Sequence, residues 1–131
     1  MKSYRDLDVY RISYDLAIEV HGFSLTHPRY EVYEEGSQVR RSSKGITSCI
    51  VEGYGRRKYK AEFLKFLIYA HASCDETILH LSFLRDTHKE NGSKVKLLID
   101  SYEELGRKIN GFINYVEKEW NSKKELSPSN S

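Results

Sequence analysis

The apolar positions of this chain recur every three or four residues, which is the spacing of amphipathic α-helices packed side by side. The first run predicts a helix over residues 7–25, which Pro28 brings to an end. Later runs predict helices over residues 34–52 and 60–87, and a last helix from an N-cap at Ser93 to about residue 121. No strand-like alternation competes with them. The predicted fold class is therefore all-α, an up-down-up-down four-helix bundle.

The same spacing predicts which side of each helix is buried. The predicted seam of the first helix consists of Leu7, Tyr10, Tyr14, Ala17, His21 and Ser24. The third helix carries a second apolar stripe, formed by Leu64, Ile68 and Ile78, beside its main seam. A helix that is apolar on two sides either lies centrally or supplies an interface between subunits. The second stripe therefore predicts a homo-oligomer.

Length and composition predict one domain and a short tail. Residues 1–121 hold the predicted bundle, and residues 122–131, SKKELSPSNS, are expected to be disordered because they have no apolar face. No apolar run approaches the roughly 20 residues that span a bilayer, and the start of the chain lacks the apolar segment of a signal peptide. A cytoplasmic protein without a membrane partner is expected. Cys49 and Cys74 fit small buried apolar side chains better than a disulfide.

Positive charge is concentrated in one part of the sequence. Residues 36–66 contain eight lysines and arginines against two glutamates, whereas the whole chain has a net charge of only +2. Such side chains contact phosphates through charge and bidentate hydrogen bonds, and Tyr54 and the nearby Tyr59 are candidates to stack on unpaired bases. The candidate nucleic-acid-binding residues are Arg40, Arg41, Lys44, Tyr54, Arg56, Arg57, Lys58 and Lys60. The alternative is a solvated basic surface in which Glu52 pairs with Arg56 one turn away.

Metal binding and catalysis have little support in the sequence. A di-metal site in a helical bundle needs Glu-x-x-His on two helices, and none of the five histidines has an acidic residue three positions before it. The pair Glu76 and His80 cannot complete a coordination shell alone. The two cysteines and the serines have no neighbouring catalytic signature, and Gly53-x-Gly55 follows a helix, not the strand that a dinucleotide fingerprint requires. We expect no metal, no cofactor and no enzyme.

Several short motifs resemble one bacterial protein family. They are Tyr4-Arg5-Asp6-Leu7-x-Val9-Tyr10, Gln38-x-Arg40-Arg41, Glu52-Gly53-Tyr54-Gly55-Arg56, Glu62-Phe63 and Ala70-x-x-Ser73-x-x-Glu76. Together they resemble the four-helix-bundle proteins encoded by intervening sequences in 23S ribosomal RNA genes. Relatives of that family include accessory proteins of diversity-generating retroelements, which form homopentamers and bind nucleic acid and a reverse transcriptase. The chain departs from many members at Gly45-Ile46-Thr47-Ser48-Cys49-Ile50, where they have a Ser-Ile-Pro-x-Asn-Ile type of segment.

The resemblance and the charge pattern together predict a non-enzymatic homo-oligomer, most simply a pentamer, that binds RNA or DNA as an accessory factor. Its partners would be copies of itself, RNA or DNA, and a reverse transcriptase or another protein. The alternative is an oligomeric scaffold or adaptor for another protein with no direct nucleic-acid contact. A ring of subunits favours the first hypothesis, because it repeats a weak basic surface several times and so strengthens its binding.

Overall fold

The structure, a computed structural model, describes residues 3–121, and within that range it is all-α with no β-strand. The α-helices are α1 (Asp8–Ser24), α2 (Arg29–Tyr33), α3 (Glu35–Gly55), α4 (Lys60–Thr87) and α5 (Gly92–Glu119). Short 3-10 turns at Tyr4–Asp6 and Lys89–Asn91 precede α1 and α5. The predicted disordered tail, residues 122–131, lies outside the described residues. No helix between residues 3 and 121 has the length and apolar character needed to cross a membrane.

Helix α3 lies between two others, because it packs against α1 on one side and α4 on the other, and α5 closes the bundle against α4 and α1. The short helix α2 packs on α3. The all-α class and the four-helix bundle are thereby confirmed. The largest fully buried side chains are Tyr102, Phe63, Ile46, Ile50, Leu67, Leu81, Leu84, Leu98, Leu105, Ile109, Val20 and Val39.

The predicted seam of α1 is confirmed at Leu7, Ala17 and Ser24 but wrong at its three other positions. Tyr14 is 49% exposed, and Tyr10 and His21 are only half-buried. The residues of α1 that are buried are Val9, Ser13, Leu16, Ala17, Val20, Phe23 and Ser24. The members of this set that were not predicted each precede a predicted seam residue by one position. The centre of the buried face is therefore turned by less than the roughly 100° that separates neighbouring residues. The physical reason is that a tyrosine can lie at the edge of a core with its hydroxyl in water, whereas the small Ser13 allows α3 to come close.

The connection after α1 contains structure that the sequence did not predict. Residues 26–33 were expected to be a plain connection, yet Arg29–Tyr33 forms a short helix that starts directly after Pro28. Glu34, with φ −98° and ψ −102°, separates this turn from α3. Glu31 within it is buried, and its Oε2 lies 2.6 Å from Nε2 of His88 at the end of α4. This contact links the connection between α1 and α3 to the C-terminal end of α4.

Helix α3 continues past its predicted end. Residues Gly53-Tyr54-Gly55 were expected to form the turn, but α3 runs through Gly55 and the turn starts at Arg56. A Cβ on Gly53 would lie 3.0 Å from Cβ of Phe66 in α4. Gly53 is therefore the point of close approach between two helices. A bulky side chain there would separate them.

The start of α5 also differs from its prediction, while α4 agrees with it. Ser93 was expected to be the N-cap, but α5 begins at Gly92 with Asn91 in the capping position, so Ser93 lies inside the first turn. Helix α4 occupies the predicted residues, Lys60–Thr87.

Two hydroxyl pairs connect helices within the bundle. Thr47 Oγ1 of α3 donates a hydrogen bond to Ser13 Oγ of α1 over 2.9 Å. The hydroxyls of Ser42 in α3 and Thr77 in α4 are hydrogen-bonded at 2.9 Å, and both residues are buried. Each of these small side chains thus forms a hydrogen bond with a hydroxyl on the facing helix, and no bulky polar group enters the core.

The outer side of α4 exposes large apolar side chains, with the exposed Asp75 among them. Ile68 is 54% exposed, Leu79 51% and Phe83 47%, whereas Leu64 and Ile78 of the predicted second stripe pack partly against the core. Positions 68, 72, 79 and 83 follow the helical spacing, so these side chains share one side of the helix. We call Ile68, Leu79 and Phe83 the outer stripe of α4.

Candidate nucleic-acid interface

The Arg40 side chain forms hydrogen bonds within the bundle. Its Nη1 donates to Ser24 Oγ over 2.9 Å, and its Nη2 donates to the Val32 carbonyl over 2.9 Å. A Cβ on the buried Gly36 would lie 3.1 Å from the same Nη1. The guanidinium therefore joins α1, the α2 segment and α3. Two of its donors are already engaged, which leaves less of the group for a phosphate than the sequence predicted.

Arg41 and Lys44 lie on the outer side of α3. Both are exposed, and Arg41 has no ion pair among residues 3–121. Lys44 Nζ lies 3.1 Å from Nδ1 of His21 on α1. An exposed ammonium beside a half-buried imidazole still has donors directed to solvent. We call these two cations the mid-helix group.

Arg56 is the most accessible arginine of the turn. Its Nη1 donates to the Glu52 carbonyl over 3.2 Å, and its Nε lies 3.9 Å from the Glu62 carboxylate. Its guanidinium carbon lies 4.4 Å from the ring centroid of Phe66. The predicted ion pair between Glu52 and Arg56 therefore does not form among the described residues, since Arg56 bonds only the Glu52 carbonyl and its carboxylate partner is Glu62. Since the side chain remains about half exposed, a phosphate can compete for its guanidinium.

Tyr54 and Arg57 form a packed unit beneath the turn. Tyr54 is only 3% exposed, and the guanidinium carbon of Arg57 lies 4.1 Å from its ring centroid. The Arg57 carbonyl accepts a hydrogen bond from Nε1 of Trp120 over 3.3 Å. A base cannot stack on a ring that is covered in this way, so the predicted stacking role of Tyr54 does not fit its position. Arg57 is only half-buried but acts first as part of the packing.

Tyr59 has the exposure that Tyr54 lacks. It is 62% exposed and precedes α4 as its N-cap residue, where no side chain among the described residues caps the helix. Lys58 Nζ lies 5.8 Å from its ring centroid, and Lys60 begins the helix. Uncapped amides at a helix start and nearby ammonium groups both favour an anion. We call Arg56, Lys58 and Lys60 the turn group.

The fold thus divides the predicted basic set into two groups and an internal pair. Twelve residues of helix separate Lys44 from Arg56, which corresponds to about 18 Å along the axis. Arg40 and Arg57 are held by contacts within the bundle, and they stabilise the parts of the fold that carry the two groups. One flexible polyanion can contact both groups, whereas a single small anion cannot.

A groove between α1 and α3 lies next to the mid-helix group, and the sequence reasoning missed it. It has a volume of about 420 Å³ and is lined mainly by apolar surface. Its wall and floor include Tyr4, Tyr10, Tyr14, Lys44, Val51 and Glu52. We call it the tyrosine groove. The i,i+4 spacing of Tyr10 and Tyr14 was visible in the sequence but was assigned to the buried seam.

The two thiols have little nucleophilic character. Burial, together with Asp75 and Glu103, raises the pKa of the Cys74 thiol to about 12. Burial and the Glu52 charge also raise the pKa of Cys49. Both side chains therefore stay protonated near neutral pH, and a thiol in that state is a poor nucleophile and a poor metal ligand. Within residues 3–121, no three His, Cys, Asp or Glu side chains are grouped as a metal site requires.

The chain matches the model of a known protein family over most of its length. The model of the family described as 23S rRNA-intervening sequence protein matches residues 5–111, which include every residue of the two basic groups and all the groove-lining residues except Tyr4. No curated protein matches the chain.

Proposed function

The chain belongs to the 23S rRNA-intervening sequence protein family, and from this premise we propose that it binds RNA or DNA as a non-enzymatic accessory factor. In this proposal it acts as a homo-oligomer of up-down-up-down bundles, with its basic surface as the binding site. Its nucleic-acid-binding residues are Arg41 and Lys44 of the mid-helix group and the three cations of the turn group.

The turn group is the observation that carries the proposal. Arg56 and Lys58 are exposed, Lys60 is half-buried, and the three lie within five residues around a helix start that is uncapped in the described part of the chain. Tyr59 in their midst is 62% exposed, so a base can stack on its ring while the cations contact the adjoining phosphates. Arg40 and Arg57 are held by contacts within the bundle, whereas in the turn group Arg56 has one long ion pair, 3.9 Å from Glu62, and Lys58 and Lys60 have none among residues 3–121. The turn group is directed outward instead.

Oligomerisation supports binding through repetition. The outer stripe of α4 exposes three large apolar side chains on one side of a helix, which is a surface that another protein chain commonly covers. In a cyclic homo-oligomer, most simply a pentamer, every subunit would repeat the turn group, and a polyanion that contacts several copies gains affinity from each. By the resemblance to accessory proteins of diversity-generating retroelements, a reverse transcriptase or another protein is a further proposed partner.

Binding measured at two salt concentrations tests the proposal. Affinity for a structured RNA or DNA should fall steeply as the salt concentration rises. Binding of the protein releases counterions from the phosphates, and that release is less favourable when the salt concentration is high. The double variant Arg56→Ala and Lys58→Ala should weaken binding across sequences alike and flatten the salt dependence. The matched control is Lys96→Ala and Arg107→Ala, which removes two exposed cations from α5. The control should keep the affinity and salt dependence of the wild type.

The alternative is a scaffold or adaptor that contacts only proteins, and the outer stripe of α4 is the observation that favours it. If the intact wild-type oligomer binds no RNA or DNA form at low salt, the nucleic-acid proposal is wrong and the scaffold hypothesis takes its place. If the turn-group variant instead dissociates the oligomer, the turn group is a contact between subunits.

A further inference from the structure

We propose that the tyrosine groove is a subsite for one unpaired nucleobase of a single-stranded nucleic acid. This inference rests on the proposed function and specifies it, because it predicts single strands as the preferred form and α1 as part of the interface. Neither the sequence patterns nor the family match assigns a role to this groove.

The walls of the groove are aromatic and are only partly used by the protein itself. Tyr4 and Tyr10 pack edge to face with ring centroids 4.9 Å apart, and Tyr10 and Tyr14 are tilted by 37° at 5.9 Å. Tyr14 is 49% exposed. These rings therefore form a stepped surface along α1 with an open face on its outermost member. Planar bases stack on such faces regardless of their identity.

Polar groups at the rim of the groove suit the edge of a base. Lys44 can donate to a ring carbonyl, and the exposed Glu52 carboxylate can accept from an exocyclic amine. The hydroxyls of Tyr4, Tyr10 and Tyr14 form no hydrogen bond with another group of the described chain. A phenol that is partly covered but unbonded usually meets water or a ligand. The groove thus offers stacking surface with donors and an acceptor around it.

The size of the groove fits a small occupant. A volume of about 420 Å³ lies toward the lower end of the range of about 300–1,000 Å³ for small-molecule sites. One base with its sugar is an occupant of that order, whereas a packed helix from another protein needs a longer and more continuous apolar surface.

The position of the groove connects the two basic groups. Lys44 of the mid-helix group is part of the lining, and the groove ends at Glu52, whose carbonyl accepts from Arg56 of the turn group. Arg5 adds a cation at 4.6 Å from the Tyr4 ring centroid. A strand that runs from Lys44 to Arg56 along α3 can therefore pass over the groove. Phosphates would lie on the cations while one base enters between α1 and α3.

The test compares single-stranded and duplex ligands on the full chain. The variant is Tyr14→Ala, and the control is Tyr33→Ala, which removes an exposed tyrosine that is not part of the groove. The probes are a short oligouridylate that carries 4-thiouridine and a blunt RNA duplex of the same length. Tyr14→Ala should weaken oligouridylate binding about 5- to 100-fold, the effect of one lost base stack. Duplex binding and the salt dependence should not change.

Two further measurements separate the possible outcomes. Tyr14→Phe should retain most of the affinity because it keeps the ring, and ultraviolet light should crosslink the thiouridine to the groove tyrosines in the wild type. If Tyr14→Ala and Tyr33→Ala bind oligouridylate equally well while the wild type binds nucleic acid, the groove inference is wrong and the proposed function stands. If the wild type binds neither probe, the groove inference is wrong, and the proposed function is wrong as well if structured RNA and DNA also fail to bind at low salt. If Tyr14→Ala changes the mass of the oligomer, the groove is a contact between subunits and the inference is overturned.

Discussion

The guanidinium carbon of Arg57 lies 4.1 Å from the centroid of the Tyr54 ring, whereas the neighbouring Arg56 extends over the surface of α4. Two adjacent arginines of the same turn therefore have different tasks. Arg57 packs on a buried ring and offers its carbonyl to Trp120, while Arg56 remains open to a ligand. A sequence pattern treats the two as one basic pair. Their variants should behave differently.

Replacement of Arg57 by Ala should destabilise the bundle. It removes the cation–π contact with Tyr54 and the hydrogen bond from Nη1 to the Tyr54 carbonyl at 3.0 Å. We expect the free energy of unfolding to fall by about 1–2 kcal/mol. Urea denaturation measures it. The control Lys58→Ala, an exposed neighbour, should stay within about 0.5 kcal/mol of the wild type, and equal losses in both variants would contradict the packed role of Arg57.

Variants of Arg40 and Arg41 should also behave differently: loss of Arg40 should lower the stability of the fold, and loss of Arg41 should weaken nucleic-acid binding. Arg40→Ala breaks the bonds to Ser24 Oγ and the Val32 carbonyl and leaves these groups without their donor. We expect a loss of about 1–3 kcal/mol in the free energy of unfolding. Arg41→Ala should leave stability nearly unchanged and weaken nucleic-acid binding at low salt. Thermal unfolding and gel-shift titration of both variants test this, and the reverse assignment would refute the placement of Arg40.

The contact between Glu31 and His88 should make stability depend on pH in the acid range. Burial alone would raise the pKa of the Glu31 carboxyl, but the hydrogen bonds from His88 and the Glu35 N–H outweigh it, so the pKa lies below its ordinary value of 4.5. A carboxyl with a lowered pKa stabilises the fold at pH values above the unfolded value. That contribution is lost as pH falls through the lowered folded value.

The variant Glu31→Gln tests this dependence. It should be less stable than the wild type at neutral pH. The difference should shrink as the pH drops below about 4.5, because the unfolded wild-type chain takes up a proton on Glu31 there, whereas the folded chain does so only at its lower pKa. Denaturation at a series of pH values gives the difference. Glu34→Gln, an exposed neighbour, is the control and should follow the wild type throughout. A difference that persists unchanged into strong acid would show that the charge of Glu31 is not involved.

The outer stripe of α4 should determine the oligomeric state. Leu79 is 51% exposed and Phe83 47%, so Leu79→Glu and Phe83→Glu place charges on that side of α4 without entering the core. If subunits pack there, each variant should dissociate toward a 15.3 kDa monomer, as read by light scattering at micromolar protein. Leu97→Glu on α5, where Leu97 is 65% exposed, is the control. A wild-type protein that is itself monomeric would refute the oligomer.

The sequence predicts the helices better than it predicts which way they face. Helix α4 has apolar residues on most sides, yet its bounds agree with the prediction because charged and turn residues flank it. In α1 two neighbouring sets of positions both follow the helical spacing, and the predicted seam wrongly included Tyr10 and Tyr14. Hydrophobic spacing alone cannot separate a tyrosine at the edge of a core from one inside it. That error concealed the tyrosine groove.

The candidate site was predictable in composition but not in arrangement. Clustered cations in the sequence predict a basic surface, but only tertiary contacts show that Arg40 serves Ser24 and that Arg57 serves Tyr54. Gly53 shows the same limit. A glycine near the end of a helical run predicts a turn, whereas this one lets Phe66 approach from α4. Local sequence cannot show whether a glycine is needed for its backbone conformation or because a neighbouring helix leaves no space for a side chain.

The hydroxyl pairs that link α1 to α3 and α3 to α4 impose a single axial alignment on the bundle. Apolar helices tolerate sliding by one turn, since one leucine replaces another at similar energy. If α3 slid along its neighbours, Thr47 would lose Ser13 and Ser42 would lose Thr77, so both hydrogen bonds between helices would be broken. Ser13, Ser42 and Thr77 would keep only the bonds to carbonyls of their own helices. Every alternative alignment is thereby penalised relative to the native one. Substitution of all four by alanine and valine should therefore yield a chain that is still helical but gives broadened, heterogeneous NMR spectra, the mark of several coexisting packings.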